Sequence, residues 1–435
     1  MRRLLLLVIP VVVFSDPYIK IIEDIENSGA LKSALMLERA ALHTEEAAKG
    51  KNLPTLDLYF EGAWLKDTPT VTFRIPGSPP LQTPMGTRRN FSGSLRLAYP
   101  VFAGYAISAA IKKAGFEHEI AKLKKLDLER NLYLQATELA GAVYAADRRL
   151  NALKSAKKAM TYSYEKAKGL YENGLLPPSD LYNIEAKKHS VEVEITDAES
   201  QKEQLLNRLG HLLNRDIDSV ELPVESLSIP IDKETITETA LRQREDISAL
   251  MAGIEVDRSV EEVAKSRLYP TLTVAAELKR HGDTLSLNGD GYTNPDQSYI
   301  GAFVSWNLFD GFSDKNDIEA ARCKRVASKI ALDDYKKRVK REISNAFLEL
   351  SALISRLDSA KMELKAQKAY CDLTVGRFEN QLVSADELSR SIADLSAAQA
   401  KVSTLKSMIF VQRAKIWLMA GLEPFKENFL KHHDL

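Results

Sequence analysis

The chain repeats itself at a spacing of 207 residues, and this duplication limits what it can fold into more than any other feature. Gly169, Glu172, Asn173, Leu181 and Ala186 recur as Gly376, Glu379, Asn380, Leu388 and Ala393, and Tyr171/Phe378, Leu176/Val383 and Asp180/Glu387 are conservative pairs at the same offset. That offset also joins Tyr99, Val101, Phe102 and Gly104 to Trp306, Leu308, Phe309 and Gly311. A duplication of this size means one architectural unit used twice.

Each copy begins with a strand pair. After Pro54, the residues Leu56, Leu58, Phe60 and Trp64 alternate with Asp57, Tyr59 and Glu61, the period of two that gives a strand one apolar face. The return strand places Phe91, Gly93, Leu95, Leu97, Tyr99 and Val101 on one face and Ser92, Ser94, Arg96 and Ala98 on the other, with a proline-rich loop between the two strands. In the second copy Pro270-Thr271-Leu272 matches Pro54-Thr55-Leu56. Leu272, Val274, Ala276 and Leu278 share one face there, as do Ile300, Ala302, Val304, Trp306 and Leu308. We expect strands over about 54–66, 90–101, 270–280 and 298–309. From Pro54 to Phe102 is 48 positions and from Pro270 to Phe309 is 39, so the first loop carries nine extra residues, which a surface loop tolerates.

Long helices follow each pair. No proline lies between Gly104 and Pro177, or between Gly311 and Pro424, so 105–173 and 312–380 are each compatible with one helix of about 100 Å. Leu126, Leu132, Ala136, Leu139, Val143, Leu150 and Leu153 give the first its apolar stripe. Return helices at 179–213 and 385–420 complete hairpins over about 103–213 and 311–420, with tips at about 171–180 and 378–387. A helix at 27–51 precedes the first strand, and one at 235–266 precedes the third. The chain thus divides into a first repeat, 16–214, an inter-repeat linker, 215–235, of extended character, a second repeat, 236–421, and a C-terminal tail, 422–435.

Composition narrows the function. The 60 basic and 60 acidic residues cancel, which argues against a nucleic-acid binder with its basic surface. Met1-Arg2-Arg3 followed by an apolar run to Phe14, with Ser15 ahead of Asp16-Pro17, fits a signal peptide over 1–15; an uncleaved anchor is the alternative. No later apolar run reaches the ~20 residues a membrane helix needs. The two cysteines, Cys323 and Cys371, fall 48 positions apart on one helix, too far to bridge. The seven histidines show no metal-ligand spacing, and neither a nucleophile elbow nor a phosphate loop occurs. We expect no enzyme activity, no metal and no cofactor.

A membrane role would therefore rest on the strands. Four strands with one apolar face leave open edges that hydrocarbon cannot satisfy, so several chains would each contribute four to a closed barrel of eight, twelve or sixteen. Trp64, Tyr99, Tyr269, Tyr299 and Trp306 lie near strand ends, where an aromatic girdle belongs. A soluble antiparallel sandwich with helical extensions is the alternative left open by the strand patterns.

With the duplication, the Pro-Thr-Leu strand starts, the Phe102-Ala103-Gly104 and Phe309-Asp310-Gly311 strand ends and the hairpin tips in view, the chain resembles the TolC-like outer-membrane efflux family. Residues Ala240 to Ile247 look like the family's Ala-Leu-x-x-Arg-Pro-Asp-Leu, with Glu245 in place of proline. The resemblance implies a mixed, mainly α fold, each repeat giving two β-strands and long antiparallel coiled-coil helices. It implies a homotrimer forming a 12-stranded β-barrel in the outer membrane of a Gram-negative (diderm) bacterium, continuous with a 12-helix tunnel in the periplasm. Its partners would be outer-membrane lipid, a periplasmic adaptor (membrane fusion) protein and, through the adaptor, an inner-membrane pump of an efflux or type I secretion system. A non-transporting periplasmic coiled-coil adaptor or scaffold is the rival reading.

In that family the tips carry the gate and the docking surface. Gly174 and Asp180 match the family's turn glycine and following acid, whereas Gln381 replaces the glycine in the second tip, so its turn is expected to be built differently. Glu387 falls where relatives can place an aspartate ring at the constriction and Arg390 at a second such position, so one acid ring is expected there; Arg390, one helical turn on, would neutralise it locally, and a surface salt bridge with no gating role is the alternative. Phe378 and Val383 occupy positions where some relatives carry a locking tyrosine and arginine, facing Ser179 and Asp180, so that polar lock is expected to be absent. The resemblance makes Glu387, Arg390, Asp180, Ser179 and Phe378 the gate candidates. Gly174, Leu175, Leu176, Gln381, Leu382 and Val383 are the adaptor-contact candidates, the four apolar ones as exposed surface, with packing within the trimer as the alternative.

Overall fold

A computed structural model of the chain describes residues 16–224 and 232–431; the expected signal peptide lies outside the described residues. In chain order the elements of the first copy are β1 (Asp16–Pro17), α1 (Tyr18–Glu23), a 3-10 turn (Asp24–Asn27), α2 (Gly29–Gly50), β2 (Thr55–Trp64), β3 (Thr70–Phe73), β4 (Leu81–Pro84), β5 (Arg89–Ala103), α3 (Ala106–Glu172) and α4 (Pro178–Leu213). There follow β6 (Val220–Glu221), α5 (Lys233–Gln243), α6 (Glu245–Ser266), β7 (Thr271–Gly282), β8 (Tyr299–Ser305), α7 (Ser313–Glu379), α8 (Ala385–Ala420), α9 (Leu422–Phe425) and a π turn (Lys426–Leu430).

The duplication extends to helix length. Helices α3 and α7 have 67 residues each, α4 and α8 have 36, and α2 and α6 have 22. The offset from α2 to α6 is 216 (29 to 245) and from α3 to α7 is 207 (106 to 313); the difference of nine is the longer first loop, which holds the β3–β4 hairpin.

The chain divides into two compact units. One is Glu38–Ala121 with Leu250–Ala331, and the other is the rest of the described chain. The first unit contains a four-stranded antiparallel sheet in the order β2-β5-β7-β8. Its register sets Leu58 beside Leu95 and Leu95 beside Leu278, and Leu56, Leu97, Ala276 and Ile300 in one row. Because directly paired residues point to the same side, the apolar residues of all four strands make one continuous face. Leu58 and Ile300 on it are 80% and 81% exposed. The opposite face carries Asp57, Glu61, Ser94, Arg96, Glu277 and Lys279. The sheet therefore leaves an apolar surface and two edge strands, β2 and β8, without a partner among the described residues.

Strand β8 ends at Ser305, short of the 309 expected from its alternation. Ser305 pairs with Thr271, the first residue of β7; Pro270 precedes it and has no N–H to donate, so Trp306 to Phe309 find no neighbouring strand. Strand ends turn into helices in the same way in both copies: Gly104-Tyr105 (φ +59°, +70°) and Gly311-Phe312 (φ +72°, +68°) are consecutive left-handed residues. At Gly104 a Cβ would also stand 2.4 Å from the Ser266 carbonyl oxygen.

The second unit holds the main apolar core. Tyr18, Ile21, Ile22 and Ile25 from the N-terminal segment meet Leu132, Tyr133 and Val143 of α3, Leu206, Leu209 and Leu213 of α4, and Phe410, Ala414 and Leu418 of α8. Residues expected as a tail contribute Leu422, Phe425 and Phe429 to this core, with the Phe425 and Phe429 rings stacked at 5.1 Å. The extended segment at Val220–Glu221 pairs in parallel with Asp16–Pro17.

The helix expected over 235–266 is broken at Arg244, whose backbone is extended (φ −68°, ψ 126°). Proline at the next position would force this geometry, but Glu245 stands there, and side chains hold the break instead. The Arg244 guanidinium donates to both Asp246 carboxylate oxygens (3.0 and 2.8 Å), the Tyr335 hydroxyl donates to the same carboxylate (2.6 Å), and Asp246 accepts the Ile247 N–H (2.8 Å). Arg130 of α3 reaches Asp127, Glu245 and Asp246. Glu245 in turn accepts the Leu422 N–H at 2.8 Å, anchoring the start of α9.

Candidate functional site

The two tips are built on the same backbone turn. Leu175 N–H donates to the Leu170 carbonyl (2.8 Å) and Gly174 N–H to that of Tyr171 (2.9 Å); Leu382 donates to Arg377 (2.9 Å) and Gln381 to Phe378 (2.9 Å). The Asn173 and Asn380 amides each donate to the backbone carbonyl four residues back, of Gly169 (2.7 Å) and Gly376 (2.8 Å), which accounts for the repeated asparagine. The expectation of a different second turn is therefore corrected: Gln381 takes up the left-handed conformation, φ +60°, as Gly174 does at φ +73°. A side chain there costs about 1–2 kcal/mol. Gln381→Gly is expected to stabilise the turn by about 1 kcal/mol, slowing hydrogen exchange at the Leu382 amide roughly fivefold; an unchanged rate would show that the position carries no strain.

The return helices start differently. In α4, Pro177 and Pro178 set the first turn, and Asp180 N–H donates to the Pro177 carbonyl (3.1 Å). In α8, Ser384 caps the helix by accepting the Glu387 N–H through Oγ at 3.3 Å. The Glu387 carboxylate accepts a hydrogen bond from Tyr370 of α7 at 3.2 Å. Arg390 is paired with Asp386 at 2.6 Å rather than with Glu387, since i to i+4 spacing brings Asp386 directly beneath it.

Beneath the turns lies an apolar cluster joining both hairpins. Met160 and Ala167 of α3, Leu181, Ile184 and Val191 of α4, Cys371 and Phe378 of α7, and Leu388 and Ile392 of α8 are buried in it. Burial pushes the Cys371 thiol up from its ordinary value, against a lowering hydrogen bond with Ser391. Phe378, expected at the gate surface, is 3% exposed and belongs to this cluster, and Leu176 and Val383 pack against it. Only Leu175 and Leu382 of the four expected exposed apolar residues are so, at 57% and 67%. Among the described residues, neither Ser179 nor Asp180 makes a side-chain hydrogen bond or ion pair with the second hairpin.

A polar link between the hairpins nevertheless exists. The Tyr162 hydroxyl of α3 donates to the Glu379 carboxylate of α7 at 2.8 Å. Sequence reasoning missed it: Tyr162 corresponds to Ala369 in the second copy, so the duplication does not mark it. Within each hairpin, Lys157–Glu192 (3.0 Å), Lys202–Asp147 (2.7 Å) and Lys401–Glu363 (2.7 Å) tie outgoing to returning helix. Among the described residues no group of three or more His, Cys, Asp or Glu is placed to hold a metal, and no helix is long and apolar enough to cross a membrane.

The sequence profile of the family described as outer membrane efflux protein matches residues 22–215 and 236–421, one match for each repeat. No curated protein sequence matches the chain. Solved structures share the fold. The outer membrane protein VceC of Vibrio cholerae is 16% identical with a TM-score of 0.76, over 93% of this chain and 96% of that one. The CmeC outer membrane channel of Campylobacter jejuni is 16% identical with a TM-score of 0.71, over 96% and 89%. The MtrE outer membrane channel of Neisseria gonorrhoeae, in its open state, is 15% identical with a TM-score of 0.67, over 93% and 89%.

Proposed function

This chain belongs to the outer membrane efflux protein family, and we propose that it is a trimeric outer-membrane exit duct, a passive conduit gated at the tips of its helical hairpins. One observation carries the reading: the four-stranded sheet has a continuous apolar face and two unpaired edges. In water that surface is costly, and in a bilayer the edges are. Both are satisfied when three chains close a twelve-stranded barrel with the apolar face toward lipid. A coiled-coil scaffold without transport would have no use for such a sheet. The long hairpins then form the periplasmic tunnel, and an adaptor and pump deliver cargo to it, so no bond is made or broken by the duct.

Leu175 and Leu382, equivalent and exposed, are the apolar tip residues for adaptor contact, beside Gly174 and Gln381. At the gate, Glu387 and Arg390 line the narrow end, with Asp180 and Ser179 on the facing hairpin and Phe378 supporting them from the apolar cluster. The Tyr162–Glu379 hydrogen bond takes the part of an inter-hairpin latch. The reading is tested by measuring the oligomer mass of detergent-extracted protein and its conductance in a planar bilayer, where a trimer with small discrete channels is expected. Tyr162→Phe removes the latch hydroxyl without altering the ring, and the open fraction or conductance should rise. A protein that never inserts would overturn the duct, and an unaltered Tyr162→Phe channel would overturn the latch.

A further inference from the structure

On the polar face of the sheet, one row crosses all four strands. Asp57 of β2 pairs with Arg96 of β5, Arg96 with Glu277 of β7, and Glu277 with Tyr299 of β8. The next row toward the helices, Thr55, Ala98, Ala275 and Gly301, is small and uncharged, and the row on the other side, Tyr59, Ser94 and Lys279, carries a single lysine.

Two carboxylates to one guanidinium give the row a net charge of −1 per chain. We infer that this row is a charge belt in the lumen of the strand-built duct, favouring cationic over anionic permeants, with Arg96 setting how strong the preference is. The inference rests on the duct reading, because only a closed barrel turns the polar face into a lumen and repeats the belt around it. Low-dielectric walls concentrate the field of such a ring on the path of a solute. The belt lies in the strands, so it acts independently of the acids at the helical tips.

The test is local. Ala98→Cys, in the full chain with Cys323 and Cys371 replaced by serine, places a thiol one row from the belt, and its reaction rates with cationic and anionic methanethiosulfonates are compared in outer membranes. The cationic reagent should react faster. Adding Asp57→Asn and Glu277→Gln should lower the cation-to-anion rate ratio about threefold or more, and adding Arg96→Gln instead should raise it. A reactive thiol whose ratio ignores all three substitutions would overturn the belt and leave the duct standing. A thiol at Ala98→Cys inert to both reagents, with one at Leu97→Cys on the apolar face reactive, would overturn the lumen assignment and the belt with it.

Discussion

Asp246→Asn is expected to destabilise the protein by about 3–5 kcal/mol, the cost of leaving buried charge uncompensated. Asp246 holds the Arg244 guanidinium at 2.8 Å and the Tyr335 hydroxyl at 2.6 Å, and Arg130 stands 3.4 Å away. The Arg244 and Arg130 side chains are only 7% and 9% exposed. Asparagine keeps the shape and an acceptor for the Ile247 N–H, but it cannot balance the Arg244 guanidinium, whose ion pair is with Asp246. The apparent melting temperature in detergent should fall by ~5 °C or more. A shift under 1 °C would mean that the helix break is held by packing alone. Glu245→Gln is the contrasting variant, because glutamine still accepts the Leu422 N–H.

The two neighbouring acids also give opposite pH dependences. Burial raises the Glu245 carboxyl above its ordinary 4.5, more than the Leu422 N–H and Arg130 lower it. Its contribution is present below 4.5 and is lost as pH rises through the folded value. For Asp246 burial alone would raise the carboxyl, but the hydrogen bonds and charge of Arg244, with Tyr335 and Arg130, hold it below 3.8. Its contribution is present above 3.8 and lost as pH falls through the folded value. Unfolding midpoints across pH 3 to 8 should therefore fall less at the acid end in Asp246→Asn and fall less above 4.5 in Glu245→Gln than in the parent.

This cluster marks where the sequence stops being legible. The duplication and the absence of proline indicated the long hairpins, because helix length depends on local pattern and on what interrupts it. The break at Arg244 carried no proline and depends on Arg130 and Tyr335, distant in sequence. The turn at Gln381 was hidden for the converse reason: a fold repeated from the first tip imposes a left-handed residue where the side chain opposes it. Phe378 and Leu176 read as tip surface by position, yet both hairpins contribute to one apolar cluster that takes them in. The Tyr162–Glu379 bond links residues with neither periodicity nor duplication to join them.

Leu58→Arg should prevent the chain from reaching a stable membrane-inserted state. Leu58 lies within β2, opposite Leu95, which is itself opposite Leu278, and its side chain is 80% exposed on the apolar face. An arginine facing lipid near the bilayer midplane costs about 2–4 kcal/mol. A trimer repeats the cost in every chain, roughly 6–12 kcal/mol in all, comparable to the whole stability of a folded protein. Tyr59→Arg is the matched control: one residue on, it points to the polar face, where a charge joins Lys279 and Arg96 at the proposed lumen. Trimer yield from outer membranes, measured for both variants, should collapse for Leu58→Arg and stay near that of the parent for Tyr59→Arg. Equal yields would show that the apolar face does not meet lipid, and a collapse only in Tyr59→Arg would mean that the sheet is inverted.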